Sequence, residues 1–216
     1  MKEIITDIDK LNEIGFCDVI DTRKENELLR EIIVNLKEVV RSQNLSSLSA
    51  PQLGYDKRVF VINYNGDIRT YVNPVIDTVN VKGPELSRET CSSLPGKEYI
   101  RIRFNEIPVV YQTPLGKCES AKLFGLVARV FQHEVDHLDG LLLCDVGLEV
   151  DEEFDKATEE ERQEVINMYL DSLDMKQKQL EKEIQENKDL KQVSDAIDFM
   201  NGVREGTVKL QNTDKE

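Results

Sequence analysis

Gln132-His133-Glu134-Val135-Asp136-His137-Leu138-Asp139-Gly140 holds both histidines of the 216-residue chain. They stand four residues apart, with a glutamate directly after the first. On a helix, positions i and i+4 share a face, so both imidazoles can reach a single metal ion. Glu134 then lies beside a water held by that ion, where it can act as general base. Two histidines placed by accident on a core helix are the bland alternative, and the glutamate between them argues against it.

The surroundings extend this reading. From Ala121 to Leu138 the residues Leu123, Phe124, Leu126, Val127, Val130, Phe131, Val135 and Leu138 put apolar side chains on two sides of a helix, which predicts a buried one. Leu126, Val130, His133 and His137 fall on one stripe, and Gly140 ends the helix. Two histidines do not complete a site, and the chain has no third. The remaining ligand is therefore Asp, Glu or Cys. Cys91, in Glu89-Thr90-Cys91-Ser92-Ser93, is a candidate: a thiolate beside two imidazoles leaves a position open for water, as catalytic sites do. Spacing alone does not choose it. Cys17, Cys118 and Cys144 read as small buried hydrophobes, and all four cysteines as reduced thiols.

Composition narrows the classes. The net charge of −14 argues against direct nucleic-acid binding, which needs clustered Lys and Arg. No apolar run is long enough to cross a membrane. The start, Met1-Lys2-Glu3-Ile4-Ile5, reads as neither a signal nor a transit peptide, so a cytoplasmic location is expected.

In chain order, the period of Leu28, Leu29, Ile32, Ile33, Leu36, Val39 and Val40 predicts a helix over 25–42. A loop over 44–54 follows, with small residues that let a ligand approach the backbone. Strands are predicted at 58–63, 70–76, 79–86, 98–104 and 107–112, with a turn at Asn65-Gly66. The fold class is α+β, with antiparallel β-sheets packed around a central, buried, metal-binding helix. From Asp151 onward the chain carries 19 of its 42 acidic and 10 of its 28 basic residues, a net −9. Val165, Met168, Leu173, Leu180, Val193, Ile197 and Met200 recur at roughly helical steps, without Pro or Gly from Asp151 to Asn201. This predicts a catalytic domain over 1–150 and an acidic helical extension over 151–216, disordered after Gly202.

The motifs together resemble the peptide deformylase family. Gln132 through Gly140 matches one of its motifs in full. The family's E-G-C-L-S appears as Glu89-Thr90-Cys91-Ser92-Ser93, and its G-x-G-x-A-A-P-Q as Leu45-Ser46-Ser47-Leu48-Ser49-Ala50-Pro51-Gln52. Leu45 and Ser47 replace two motif glycines, Thr90 a third, and Ser92 a leucine. The resemblance implies that Cys91, His133 and His137 hold one divalent metal, ferrous iron in the cell, with zinc, nickel or cobalt able to substitute. It implies hydrolysis of the formyl group from the N-terminal formylmethionine of newly made polypeptides, by attack of metal-bound water assisted by Glu134. Gln52 and the backbone N–H of Ser92 would serve the oxyanion. Ser47 and Leu48 would meet the extended substrate, and Leu126 and Val130 would border its methionine pocket. Nascent formyl-methionyl peptides are the expected partners. Contact with the ribosome exit region and self-association through the C-terminal helices stay open, although an acidic tail does not fit the basic helix used for ribosome docking. A metallopeptidase of the H-E-x-x-H type and a non-catalytic metal-binding relative are the rival classes. Cys91 and Gln52 argue against the first, the retained Glu134 against the second.

Overall fold

The computed structural model describes residues 2–186. After a short helix α1 (Ile8–Ile14) comes α2 (Asn26–Gln43), then strands β1 (Ser47–Ser49), β2 (Val59–Tyr64), β3 (Asp67–Ile76), β4 (Lys82–Thr90), β5 (Glu98–Gln112) and β6 (Cys118–Phe124). Helix α3 (Gly125–Leu138) follows, then α4 (Leu143–Val146), β7 (Leu148–Val150), α5 (Glu152–Lys156) and α6 (Glu159–Glu186). The strands form one seven-stranded sheet in the order β1-β2-β3-β5-β4, with β6 and β7 also paired to β5, and each of these pairings is antiparallel.

Strand alternation divides the core. Val59 and Val61 of β2 join Leu29, Ile32, Leu36 and Val39 of α2 on one face of the sheet. Phe60 and Ile62, pointing the other way, join Phe131, Val135 and Leu138 of α3. The Phe60 and Phe131 rings meet edge-on at 4.9 Å between centroids. Helix α3 is thus held by the sheet, and its opposite side is left for chemistry.

Several local features differ from the sequence reading, among them the strand predicted at 79–86, which is found as β4 at Lys82–Thr90. Residues 121–124 belong to β6, and α3 begins only at Gly125, whose φ of +57° makes the strand-to-helix corner. The predicted strands at 98–104 and 107–112 are one strand, because Asn105 and Glu106 keep the ladder, Glu106 pairing with Lys82 and Phe124. The 44–54 loop contains β1 and a 3-10 turn over Ala50–Leu53. Helix α3 is also less buried than predicted: Leu126 is 67% exposed, since it lies on the face turned from the sheet. Cys118 is exposed and Cys144 only partly covered, so neither is the buried hydrophobe expected; all four cysteines are free thiols.

The chain divides into two compact units, one ending at Lys156 and the other beginning at Ala157. In the second, α6 runs to Glu186, largely exposed where its side chains are described. The expectations for Val193, Ile197, Met200 and the stretch after Gly202 lie outside the described residues. No helix among the described residues is long and apolar enough to cross a membrane.

The end of α3 depends on a close backbone contact. Gly140, at φ +72°, faces Gly15 so tightly that an added Cβ would lie 2.8 Å from the Gly15 carbonyl carbon. Cys17 N donates to Leu138 O at 2.8 Å beside it. Gly140→Ala should therefore destabilise the protein by at least ~1–2 kcal/mol from the left-handed backbone alone. Urea denaturation of the two proteins measures this, and a loss under ~0.5 kcal/mol would show that this corner relaxes.

Candidate metal centre

Helix α3 presents His133, Glu134 and His137, and Cys91 comes from the residue after β4. The ligand atoms of Cys91, His133 and His137 all lie within 4.8 Å of one another, and Cys91 Sγ is 3.2 Å from His137 Nε2. Cys91 and His137 are buried, at 6% and 4% exposure. Soft sulfur with two imidazole nitrogens, close enough to share one ion, is a set that could hold a divalent metal.

The ring orientation of His133 is fixed from behind. Its Nδ1 lies 3.0 Å from Glu89 Oε2, which leaves Nε2 for the site. Arg103 grips the same carboxylate with Nε at 2.7 Å and Nη2 at 2.8 Å, and donates from Nη1 to Asp136 Oδ2 at 2.6 Å. Arg101 adds an ion pair to Asp136 at 3.4 Å. Burial alone would raise the Glu89 carboxyl; the bonds from Arg103 and His133 overcome it and bring it down to about 2. Gln132 ties α3 to β5, donating to Phe104 O at 2.7 Å and accepting from Phe104 N at 2.9 Å.

The protein groups alone already favour positive charge here. Burial pulls the His133 imidazolium down, yet Cys91, Glu89 and Glu134 around it hold it up at about 10. Burial and the neighbouring His133 charge keep His137 well below its ordinary value, so it offers a neutral nitrogen. Glu134, 2% exposed, is pushed up by burial against the opposing pull of His133, Ser47 and Ser49. Its Oε1 accepts from Ser47 Oγ at 2.6 Å, and its Oε2 is buried without a hydrogen-bond partner. A cation and a water are the groups that such a set of donors and an orphaned oxygen call for.

Gln52 enters on the 3-10 turn. A capping box places it: Oε1 accepts from Ser49 N at 2.9 Å, which aims Nε2 the other way. That amide donates to Ser93 Oγ at 3.1 Å and Ser92 Oγ at 3.3 Å, and lies 3.6 Å from Cys91 Sγ. Ser47, Gln52, Cys91, Ser92, His133 and Glu134 line one cavity of about 230 Å³. An adjoining one of about 170 Å³ is lined by Leu126, Val130, Ser47 and His133, together with Arg129 and Ser87. A larger cavity, about 360 Å³ beside Arg58 and Asp139, contains none of the three donors.

Nearly every nominated residue is therefore in one place. Leu48 is the exception in part: its side chain is fully buried in the α2 core, which leaves only its main chain for a substrate. Sequence reasoning missed the Arg103–Glu89–Asp136 network and the Ser47–Glu134 bond. Glu89 sits inside a quoted motif, but Arg103 lies in an ordinary strand and carries no local signal.

The model of the family described as polypeptide deformylase matches residues 4–152. A peptide deformylase from Dictyoglomus thermophilum is 36% identical over 126 residues, which cover 58% of this chain and 81% of that relative. Among solved structures, the peptide deformylase from Thermotoga maritima superposes with a TM-score of 0.61 at 31% identity, covering 67% of this chain and 96% of that one. A probable peptide deformylase from Synechococcus phage S-SSM7 gives 0.60 at 31% identity, covering 67% and 99%. On the strength of the match over residues 4–152 and the motifs gathered at the site, this chain belongs to the polypeptide deformylase family.

Proposed function

We propose that this site removes the formyl group from the N-terminal formylmethionine of newly made polypeptides in the cytoplasm, with each residue in a defined role. The observation that carries the assignment of roles is the convergence of Cys91, His133 and His137 beside Glu134, whose Oε2 has no protein partner. The three donors would hold one divalent metal, which we assign as ferrous iron. When bound, that ion supplies positive charge that acidifies a water and polarises the formyl carbonyl.

The chain's own groups do the rest. Glu134 takes the proton of the attacking water at Oε2 and returns it to the leaving amine, so one carboxylate serves first as base and then as acid. The Gln52 Nε2–H and the Ser92 backbone N–H donate to the oxyanion, and the capping box keeps Gln52 from rotating its carbonyl oxygen into that place. Leu126 and Val130 form an apolar wall for the methionine side chain. The main chain of Ser47 and Leu48, on the terminal strand of the sheet order, meets the extended peptide.

Glu134→Gln should keep its metal and lose about 10²–10⁴-fold in formate release from a formyl-Met-Ala-Ser peptide. Wild-type turnover by the metal-replete variant would sink the acid–base assignment.

Cys91→Ser should weaken metal binding by more than the ~10–100-fold that loss of an outer partner gives, because a neutral hydroxyl replaces a thiolate. Cys17→Ser, Cys118→Ser and Cys144→Ser should keep full metal content. Metal analysis after dialysis decides this, and iron in the anaerobically purified wild type checks the ion. Loss of metal from one of the other three variants, or full metal in Cys91→Ser, refutes the ligand set.

We also propose that residues up to about 150 form the catalytic domain and 151–216 an acidic appendage to it. Arg88, beside the methionine pocket, pairs with Asp155 and lies 5.8 Å from the centroid of the Phe154 ring. Truncation after Lys156 should thus leave formate release within about twofold of wild type, whereas a cut at Val150 removes those contacts. An inactive or insoluble 1–156 protein would place the extension inside the catalytic unit.

A further inference from the structure

Ser47 stands at a motif glycine, and its side chain brings a hydroxyl into the site. Oγ lies 2.6 Å from Oε1 of Glu134, joining two residues 87 positions apart. The carboxylate is 2% exposed, and only its second oxygen, Oε2, is left without a hydrogen-bond partner. The two oxygens therefore have different surroundings: one is engaged by a hydroxyl, the other is buried without a hydrogen-bond partner in a residue that lines the cavity.

That asymmetry matters for a general base. The terminal torsion of a glutamate is broad and nearly two-fold, so packing alone fixes the carboxylate plane poorly. A short hydrogen bond to an ionised oxygen is among the stronger kinds and is directional. Ser47 is well placed to impose it, because β1 is held in the sheet with Ser47 opposite Ile62. A serine has a single O–H to donate, and here Glu134 receives it. A glycine at this position has no such group, so the orienting bond belongs to this chain's own residue.

We propose that Ser47 is a positioning residue for Glu134: its hydroxyl holds Oε1 and thereby presents Oε2 to the reacting water and the leaving amine. The assignment rests on the deformylase reading of the site. It concerns the hydroxyl alone and is separate from substrate contact by the Ser47 main chain, although the residue lines both adjoining cavities. A substrate contact is made before reaction and shows in KM. An orienting bond to the base acts on the chemical step and lowers kcat and kcat/KM together.

The experiment measures formate release from formyl-Met-Ala-Ser by the full-length, metal-loaded protein and by Ser47→Ala, Ser47→Gly, Glu134→Asp and the double variant Ser47→Ala/Glu134→Asp. Ser47→Ala and Ser47→Gly should each lose about tenfold in kcat, the scale of one hydrogen bond to a charged group, with KM and metal content unchanged. Glu134→Asp withdraws the carboxylate by one methylene from the hydroxyl, so adding Ser47→Ala to it should cost less than about twofold. Wild-type kcat in Ser47→Ala or in Ser47→Gly, a change confined to KM, loss of metal, or a full tenfold effect in the Glu134→Asp background would each overturn the assignment. If instead the wild type releases no formate, the reading of the function fails and takes this assignment with it. The two failures are therefore told apart by the wild-type control.

Discussion

The bond between His133 Nδ1 and Glu89 is what the rest of the centre depends on. An imidazole that gives one nitrogen to a metal carries its proton on the other, and a group that accepts this proton fixes the tautomer and the ring orientation. Glu89 does this, but a buried carboxylate is itself unstable without positive charge close by. Arg103, almost wholly buried, answers with two bonds to Glu89 and one to Asp136 on α3. The network thus runs from β5 through β4 to the helix and closes on the face that carries the ligands.

Buried networks of this kind often stabilise a fold no more than apolar residues of similar volume would. Breaking this one from one side is another matter, since loss of a buried partner leaves an uncompensated charge at a cost of about 3–5 kcal/mol. Its value is geometric. Gln132 adds two bonds to the Phe104 main chain, and Arg58 donates to Leu138 O and Asp139 at the other end of α3. With the Phe131 edge against Phe60 between these clamps, the helix has little freedom to turn its histidines away.

The parts of this arrangement that follow helical or strand periods were legible in the sequence. His133, Glu134 and His137 declare themselves by spacing, and the apolar period of α2 was read nearly to the residue. Cys91 was chosen by resemblance, because nothing local separates it from three other cysteines. The start of α3 was misread because Leu123 and Phe124 continue the apolar run, while the corner at Gly125 is a backbone event that hydrophobicity does not report. Arg103 and Ser47 were illegible for a different reason: their partners lie 14 and 87 positions away, so only the assembled sheet brings them together.

The departures from the motifs make sense on this basis. Leu45, in place of a glycine, packs against the α2 core, and its carbonyl accepts from Asn63. Thr90 closes the β4–β5 ladder opposite Glu98, where a threonine fits a strand better than a glycine does. Thr90 also lines both cavities, while Ser92 and Ser47 add hydroxyls that bond to the site's own side chains. Ser92 accepts from the Gln52 amide, and Ser47 donates to the Glu134 carboxylate. Those are the residues assigned to the oxyanion and to the proton, so each added hydroxyl bonds to a group that the reaction needs held still. The proposed metal ligands, by contrast, match the motifs residue for residue. That set is one cysteine sulfur and two imidazole nitrogens, and the departures from the motifs lie around it.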